Sequence, residues 1–127
     1  MATFNIRNGY GLDGWNVWPL RRRTTARTIA ALDADVVALQ EVHDFQQRYL
    51  ERRLPGYGWV AAGRTDGVAG ERCPVLVRAS VGDVTEVRHV WFGSTPDVPG
   101  TRLAGANFPR IATTATVAVG PDRHEVS

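Results

Sequence analysis

The sequence predicts an α/β (α+β) fold in which a mixed sheet carries two helices on one face, and three patterns lead to it. Ala2 to Ile6 alternates, with Phe4 and Ile6 on one side and Thr3 and Asn5 on the other, as a strand with one buried face does. Asp35-Val36-Val37-Ala38-Leu39 is a short apolar run of the kind found in parallel strands buried on both faces. The stretch between them starts like a helix, so strand, helix and strand follow one another within roughly forty residues, as in a crossover unit.

Each element has a local cause. The loop from Asn8 to Trp18 is rich in Gly, Asn and Trp, and Pro19 suits the first turn of a helix, where its missing N–H is not needed. That helix is expected to run to about Leu32, with Leu20, Ile29 and Leu32 facing inward. Arg21, Arg22 and Arg23 near its start oppose the helix macrodipole; they are either solvated or aimed at an anion. Asp44 is a good N-cap for a second helix through Leu54, with Phe45, Tyr49, Leu50 and Leu54 as its inner stripe and Pro55-Gly56 as its stop. The rest reads as β structure: Gly58 to Gly63, Pro74 to Arg78, Asp83 to Phe92 and Ile111 to Val119. The loop Gly93 to Arg110 is long enough to be functional or mobile. Gly120-Pro121-Asp122 reads as a hairpin turn whose returning strand has barely begun at Glu125-Val126. Ile111 to Val119 would then be a Thr/Val-rich edge without its neighbour, so the sequence is expected to be a cut domain.

Composition narrows the class. A chain of 127 residues, 43% of them hydrophobic, fits one domain with a core of its own. A net charge of +2 does not mark a nucleic-acid binder. All 15 basic residues are Arg, a composition that suits phosphate recognition and that GC-rich codon usage also produces. The sole cysteine, Cys73, excludes an intrachain disulfide and sits in an apolar run as a small buried hydrophobe. No apolar stretch is long enough to span a bilayer. Asn5 and Arg7 interrupt the start, so no signal peptide is visible; a cytoplasmic location is the default and a secreted parent stays open.

Asn5 and Glu41 end the two predicted parallel strands. Ligands of open α/β sheets bind beyond the carboxyl ends of the strands, and adjacent strands lie about 4.8 Å apart. A carboxamide and a carboxylate there could share one hard cation or a phosphate oxygen, and Mg²⁺ asks for few carboxylates because it keeps several waters. On spacing alone the plainer reading, a strand cap or an Arg partner, is favoured for Glu41. Trp15 and Trp18 either line a groove by stacking or pack over the core. His43 reads as a surface or loop histidine, and none of the histidines forms a triad or a metal-binding spacing.

Three segments change the balance. Thr3-Phe4-Asn5-Ile6-Arg7, Leu39-Gln40-Glu41-Val42 and Gly70-Glu71-Arg72-Cys73-Pro74-Val75-Leu76 resemble, in order, three motifs of the endonuclease/exonuclease/phosphatase family, metal-dependent phosphoesterases that include pancreatic-type deoxyribonuclease. Trp59 followed by Gly63-Arg64-Thr65-Asp66-Gly67 resembles the segment before the third motif, and Pro109-Arg110-Ile111-Ala112 the Pro-Arg-aliphatic opening of a later strand. The resemblance implies that residues 1–127 are a single partial domain, the N-terminal half of a four-layer α/β/β/α sandwich. It implies Asn5 and Glu41 as metal and phosphate ligands, with Mg²⁺ or Mn²⁺ as the cation. It also implies that Glu71 orients a catalytic His from later in the chain, a role in which a carboxylate fixes the imidazole tautomer. Otherwise Glu71 is a loop carboxylate paired with Arg64 or Arg72. Arg7 and Arg64 are candidate phosphate contacts.

The family pattern also calls for an Asp-x-Asn segment and a terminal Ser-Asp-His, and these 127 residues hold neither. The implied function is metal-assisted hydrolysis of a phosphoester, on nucleic acid or a small phosphorylated molecule, by a truncated chain inactive alone. Two other readings remain: a non-catalytic α/β module that binds phosphate or nucleic acid, and a structural domain that needs a partner chain or self-associates through its uncovered sheet.

Overall fold

A computed structural model describes residues 1–119 and 124–126, with the main chain alone for His124 and Glu125. Strands β1 (Ala2–Asn5) and β2 (Val36–Gln40) pair in parallel, with Ala2 opposite Val37 and Asn5 opposite Gln40. Helix α1 (Trp18–Ala31) connects them and helix α2 (Asp44–Glu51) follows β2. Strands β3 (Tyr57–Val60) and β4 (Val75–Arg78) complete a four-stranded mixed sheet in the order β1-β2-β4-β3, with β4 antiparallel to both its neighbours. Strands β5 (Gly82–Trp91), β6 (Ile111–Val119) and β7 (His124–Val126) form an antiparallel sheet of their own. The expected α/β architecture and its strand–helix–strand unit are therefore present.

The core lies between the helices and the first sheet. Ile29 of α1 and Leu50 of α2 share one fully buried cluster with Val37, Leu39 and Leu76 of the strands. Burying an aliphatic side chain of this size contributes roughly 1.5–3 kcal/mol, so this cluster is the main stabiliser of the sheet. The helices cover one face only. Val36, Ala38 and Gln40 on the other face of β2 stay half-buried, so β2 is not buried on both faces as expected. A smaller cluster of Ala62, Trp91 and Ile111 holds Cys73 against it, and burial pushes the Cys73 thiol up from its ordinary value, in keeping with a packing role.

Two local expectations are corrected. Leu20 and Leu32 do not face inward: they are 57% and 43% exposed, and the buried stripe of α1 is Trp18, Thr25, Ala26 and Ile29. With Trp18 already helical and turned to the core, a residue two positions on points about 200° away, and Leu32 lies past the last turn. Asp44 is the first helical residue rather than the N-cap; His43 holds that place, its N–H bonded to Gln46 Oε1 at 3.0 Å. Asp44 instead pairs with Arg48 at 2.7 Å and Arg72 at 3.1 Å. Trp18 is buried against Tyr49, while Trp15 is 89% exposed. Strand β7 meets β6 only over Val117–Val119, so on that side Ile111–Thr116 has no strand partner among the described residues. The expected turn Gly120-Pro121-Asp122 lies outside the described residues.

Candidate active site

Just past the carboxyl ends of β1 and β2, Arg7 and Glu41 adopt left-handed backbone with φ of 61° and 60°. For a residue with a side chain this costs on the order of 1–2 kcal/mol, so neighbours must hold it. Asn5 does part of this: its Nδ2 donates to Glu41 Oε1 at 2.9 Å and its Oδ1 accepts the Arg7 N–H at 2.8 Å. Asn8 donates its main-chain N–H to Glu41 Oε2 at 2.9 Å and its side-chain amide to Glu71 Oε1 at 2.7 Å. Both oxygens of Glu41 thus face donors. The Asn5 bond first, and the Asn8 N–H next, hold its carboxyl below the ordinary value despite partial burial.

Glu71 arrives by strand register. Val42 and Arg72 exchange main-chain hydrogen bonds of 3.2 and 2.7 Å, extending the β2–β4 pairing past the strand ends. In antiparallel register this sets Glu71 across from His43, whose Nε2 lies 3.8 Å from Glu71 Oε1. The delivering loop is closed on itself: Gly63 and Gly67 exchange bonds of 3.0 and 2.9 Å, and Asp66 Oδ1 accepts the N–H groups of Val68 and Ala69. A Cβ at Gly63 would stand 2.2 Å from Ala69 O, so only glycine fits there. Arg64, from the same loop, forms an ion pair with Glu71 and lies 5.4 Å from the ring of Phe108 in the long loop. Arg72 does not pair with Glu71; it bonds Gln47 and Asp44.

Of the residues singled out from sequence, Asn5, Glu41, Glu71 and Arg64 are therefore joined in one network through Asn8. Arg7 stands at its edge, half-exposed and paired with Asp13. An open cavity of about 640 Å³ is lined by Asn5, Arg7, Asn8, Tyr10, Gly11 and Glu41. A second, of about 200 Å³, takes in Glu41, Arg64, Glu71 and Arg110.

Four residues of the site escape sequence reasoning. Asn8 is the bridge between the two carboxylates. Gln46 is fully buried in α2 and gives Nε2 to Arg7 O at 3.0 Å while Oε1 accepts from Gly9 N at 3.1 Å. Arg21 is neither solvated nor aimed at an anion: its guanidinium bonds the carbonyls of Ile6, Arg7 and Asn8, and its Nε donates to Asn16 O at 2.7 Å. His43 lies in the loop that opens α2, as one of the two readings has it, but not on the surface: its side chain is 15% exposed, stacked beside Phe45 with Tyr10 edge-on, and burial holds its imidazole below the ordinary value. The one visible signal was a polar Gln beside an otherwise apolar helix stripe.

The chain matches the model of the Endonuclease/Exonuclease/phosphatase family over residues 2–124. The chain belongs to this family. Its members among solved structures include an endonuclease/exonuclease/phosphatase from Bacteroides vulgatus, 34% identical with a TM-score of 0.87, covering 92% of this chain and 45% of that one. A family protein from Bacteroides thetaiotaomicron is 29% identical with a TM-score of 0.89, covering 97% and 46%. The mannosyl-6-phosphatase of Bacteroides thetaiotaomicron is also 29% identical with a TM-score of 0.89, covering 97% of this chain and 47% of that chain. The chain thus spans about half the length of these solved relatives. A comparison with curated proteins finds no match.

Proposed function

We propose that this chain supplies the cation- and phosphate-holding half of a metal-dependent phosphoesterase site. The observation that carries the reading is the contact of Asn5 with Glu41 at the ends of two adjacent parallel strands, tied through Asn8 to Glu71.

The residues fit a hard divalent cation. Glu41 is kept anionic, and each of its oxygens retains a lone pair beyond the one hydrogen bond it accepts. Asn5 turns its amide N–H to Glu41 and its Oδ1 to the Arg7 N–H, so its share in holding a cation is the second lone pair of Oδ1. Among the described residues no group of three or more His, Cys, Asp or Glu could cage a metal. One carboxylate and one amide suit Mg²⁺ or Mn²⁺, which keep most of their waters, better than a metal that needs a full protein cage. When bound, such an ion offsets charge on the phosphoryl and leaving oxygens.

The other residues hold and orient. Arg7, at the mouth of the larger cavity and paired with Asp13, keeps guanidinium N–H groups beyond that pair that a phosphoryl oxygen would accept from. Arg64 fixes one side of Glu71 and borders the second cavity. Glu71 is then fixed on its other flank by Asn8 and is ready to accept from an imidazole N–H. The substrate reading is a phosphomonoester or phosphodiester, with sugar phosphates within range through the likeness to mannosyl-6-phosphatase.

The chain alone is expected to bind Mn²⁺, read by calorimetry, and to lose that binding in both Asn5→Ala and Glu41→Ala. It is expected to turn over an activated phosphodiester no faster than buffer, because it holds no Asp-x-Asn and no Ser-Asp-His. Manganese binding untouched by either substitution would refute the cation site. Mn²⁺-stimulated turnover lost in Glu41→Ala would refute the half-site.

A further inference from the structure

Helix α1 holds Arg21, Arg22, Arg23 and Arg27 and no acidic residue. Arg21 is spent on the loop carbonyls. The others are exposed, and so are Arg52 and Arg53 just past the end of α2. Among the described residues, Arg22, Arg23, Arg27, Arg52 and Arg53 form no ion pair within 4.0 Å, although most other arginines do. The net charge of +2 therefore conceals a local cluster of four guanidinium groups, Arg22, Arg23, Arg27 and Arg53, without an ion-pair partner among the described residues. They do not diverge into solvent. Arg22 and Arg53 lie 5.0 and 5.3 Å from the ring of Tyr49, which holds both over one point. Arg23, Arg27 and Arg53 line the walls of a groove of about 280 Å³ floored by Ala26, Ala30 and Tyr49.

We propose that this groove between α1 and α2 is a docking surface for the backbone of single-stranded nucleic acid, separate from the candidate active site. The two sites share no lining residue. Arg23 and Arg27 stand one helical turn apart, about 6 Å along the axis, so they meet successive phosphates of a strand better than one phosphate. Arg53, just past the C-terminal end of α2, lines the same groove, so its cations come from two segments of the chain. The guanidinium fork matches phosphate oxygens two at a time. A bilayer surface is the poorer match, because the aromatic residue of the groove is recessed, with Tyr49 only 8% exposed, and cannot insert. Since the floor offers no open ring for stacking, the binding is to backbone, indifferent to sequence and steep in salt. The inference stands apart from the phosphoesterase reading.

The test is fluorescence anisotropy of a labelled oligo(dT) with the chain across a salt series. Two charge-matched variants are compared, Arg23→Gln/Arg27→Gln and Arg88→Gln/Arg102→Gln. The first pair is exposed and unpaired, so its fold, checked by circular dichroism, is expected to be intact. Its affinity should fall about tenfold and its log–log salt slope by roughly 1.4, at about 0.7 per lost phosphate contact on a single strand. The second pair should change neither by as much as twofold. Equal losses in both variants would reduce the effect to bulk charge and overturn the proposal. So would absence of oligonucleotide binding by the wild-type chain, including the case in which phosphatidylserine vesicles bind instead. Inorganic phosphate competing as well as unlabelled oligonucleotide, phosphate for phosphate, would make the groove a single-anion site and also overturn it.

Discussion

Glu41 carries a charge that the fold holds more firmly than water does. Its folded-state pKa is depressed, by Asn5 first and the Asn8 N–H second, below the ordinary 4.5. A depressed carboxyl contributes stability that is present above the unfolded-state value and is lost as the pH falls through the folded-state value. Glu41→Gln should therefore be less stable than wild type at neutral pH by up to about 1 kcal/mol, below the roughly 1.5–3 kcal/mol of a hydrogen bond to a charged group because solvent screens this accessible carboxylate. The gap should close in acid. Urea denaturation at neutral pH and again below the folded-state pKa measures it, and a gap that ignores pH would assign the loss to shape. Asn5, Glu41 and Glu71 are legible in the sequence because strand ends and motif order are one-dimensional properties. Asn8 is not, because its role appears only when the loop after β1 meets two carboxylates from separate segments, one just past β2 and one in the loop before β4.

Between elements, Gln46 does for the site loop what a ladder does for a strand. Its amide joins α2 to Arg7 O and Gly9 N, and to the His43 N–H that opens the helix. Gln46→Leu keeps the size and strands three main-chain groups, so it should lower stability by on the order of 3 kcal/mol. Urea denaturation checks this, and a loss under about 1 kcal/mol would mean that water replaces the amide. The same position explains why helix reading from sequence was partial. Hydrophobic spacing finds Tyr49, Leu50 and Leu54, and all three are buried. It passes over a polar residue whose burial depends on main-chain groups of another element. Leu20 and Leu32 mislead in the opposite way: apolar character alone does not say which side of α1 meets the sheet, and buried Thr25 satisfies its hydroxyl on Arg21 O at 3.0 Å.

At the scale of the molecule, the helices leave one side of the first sheet half-covered, with Val36, Ala38, Val60 and Val75 on it. The edge of β6 adds main chain at Ile111–Thr116 that has no strand partner on that side among the described residues. The chain alone is expected to self-associate at micromolar concentration in sedimentation velocity, and Val60→Asp to shift it toward monomer. A monomer at all concentrations would show that these surfaces are already satisfied. The crossover that sets β1 parallel to β2 and the extent of Ile111–Val119 are legible in advance, because periodicity and turn residues specify them; the place of β4 between β2 and β3 is not. The division into two sheets is not, because it depends on how the β4–β5 connection turns in space.

The Arg21 bracket and the Gln46 amide latch one irregular segment, Ile6 to Gly9, from two different helices. A loop without regular structure would ordinarily lose its conformational freedom when a ligand orders it, and that loss would weaken binding. Here the freedom is given up as the chain folds. A ligand of the proposed site at Asn5 and Glu41 would then meet a surface already shaped, and its affinity and orientation would depend on its own fit more than on reorganisation of the protein.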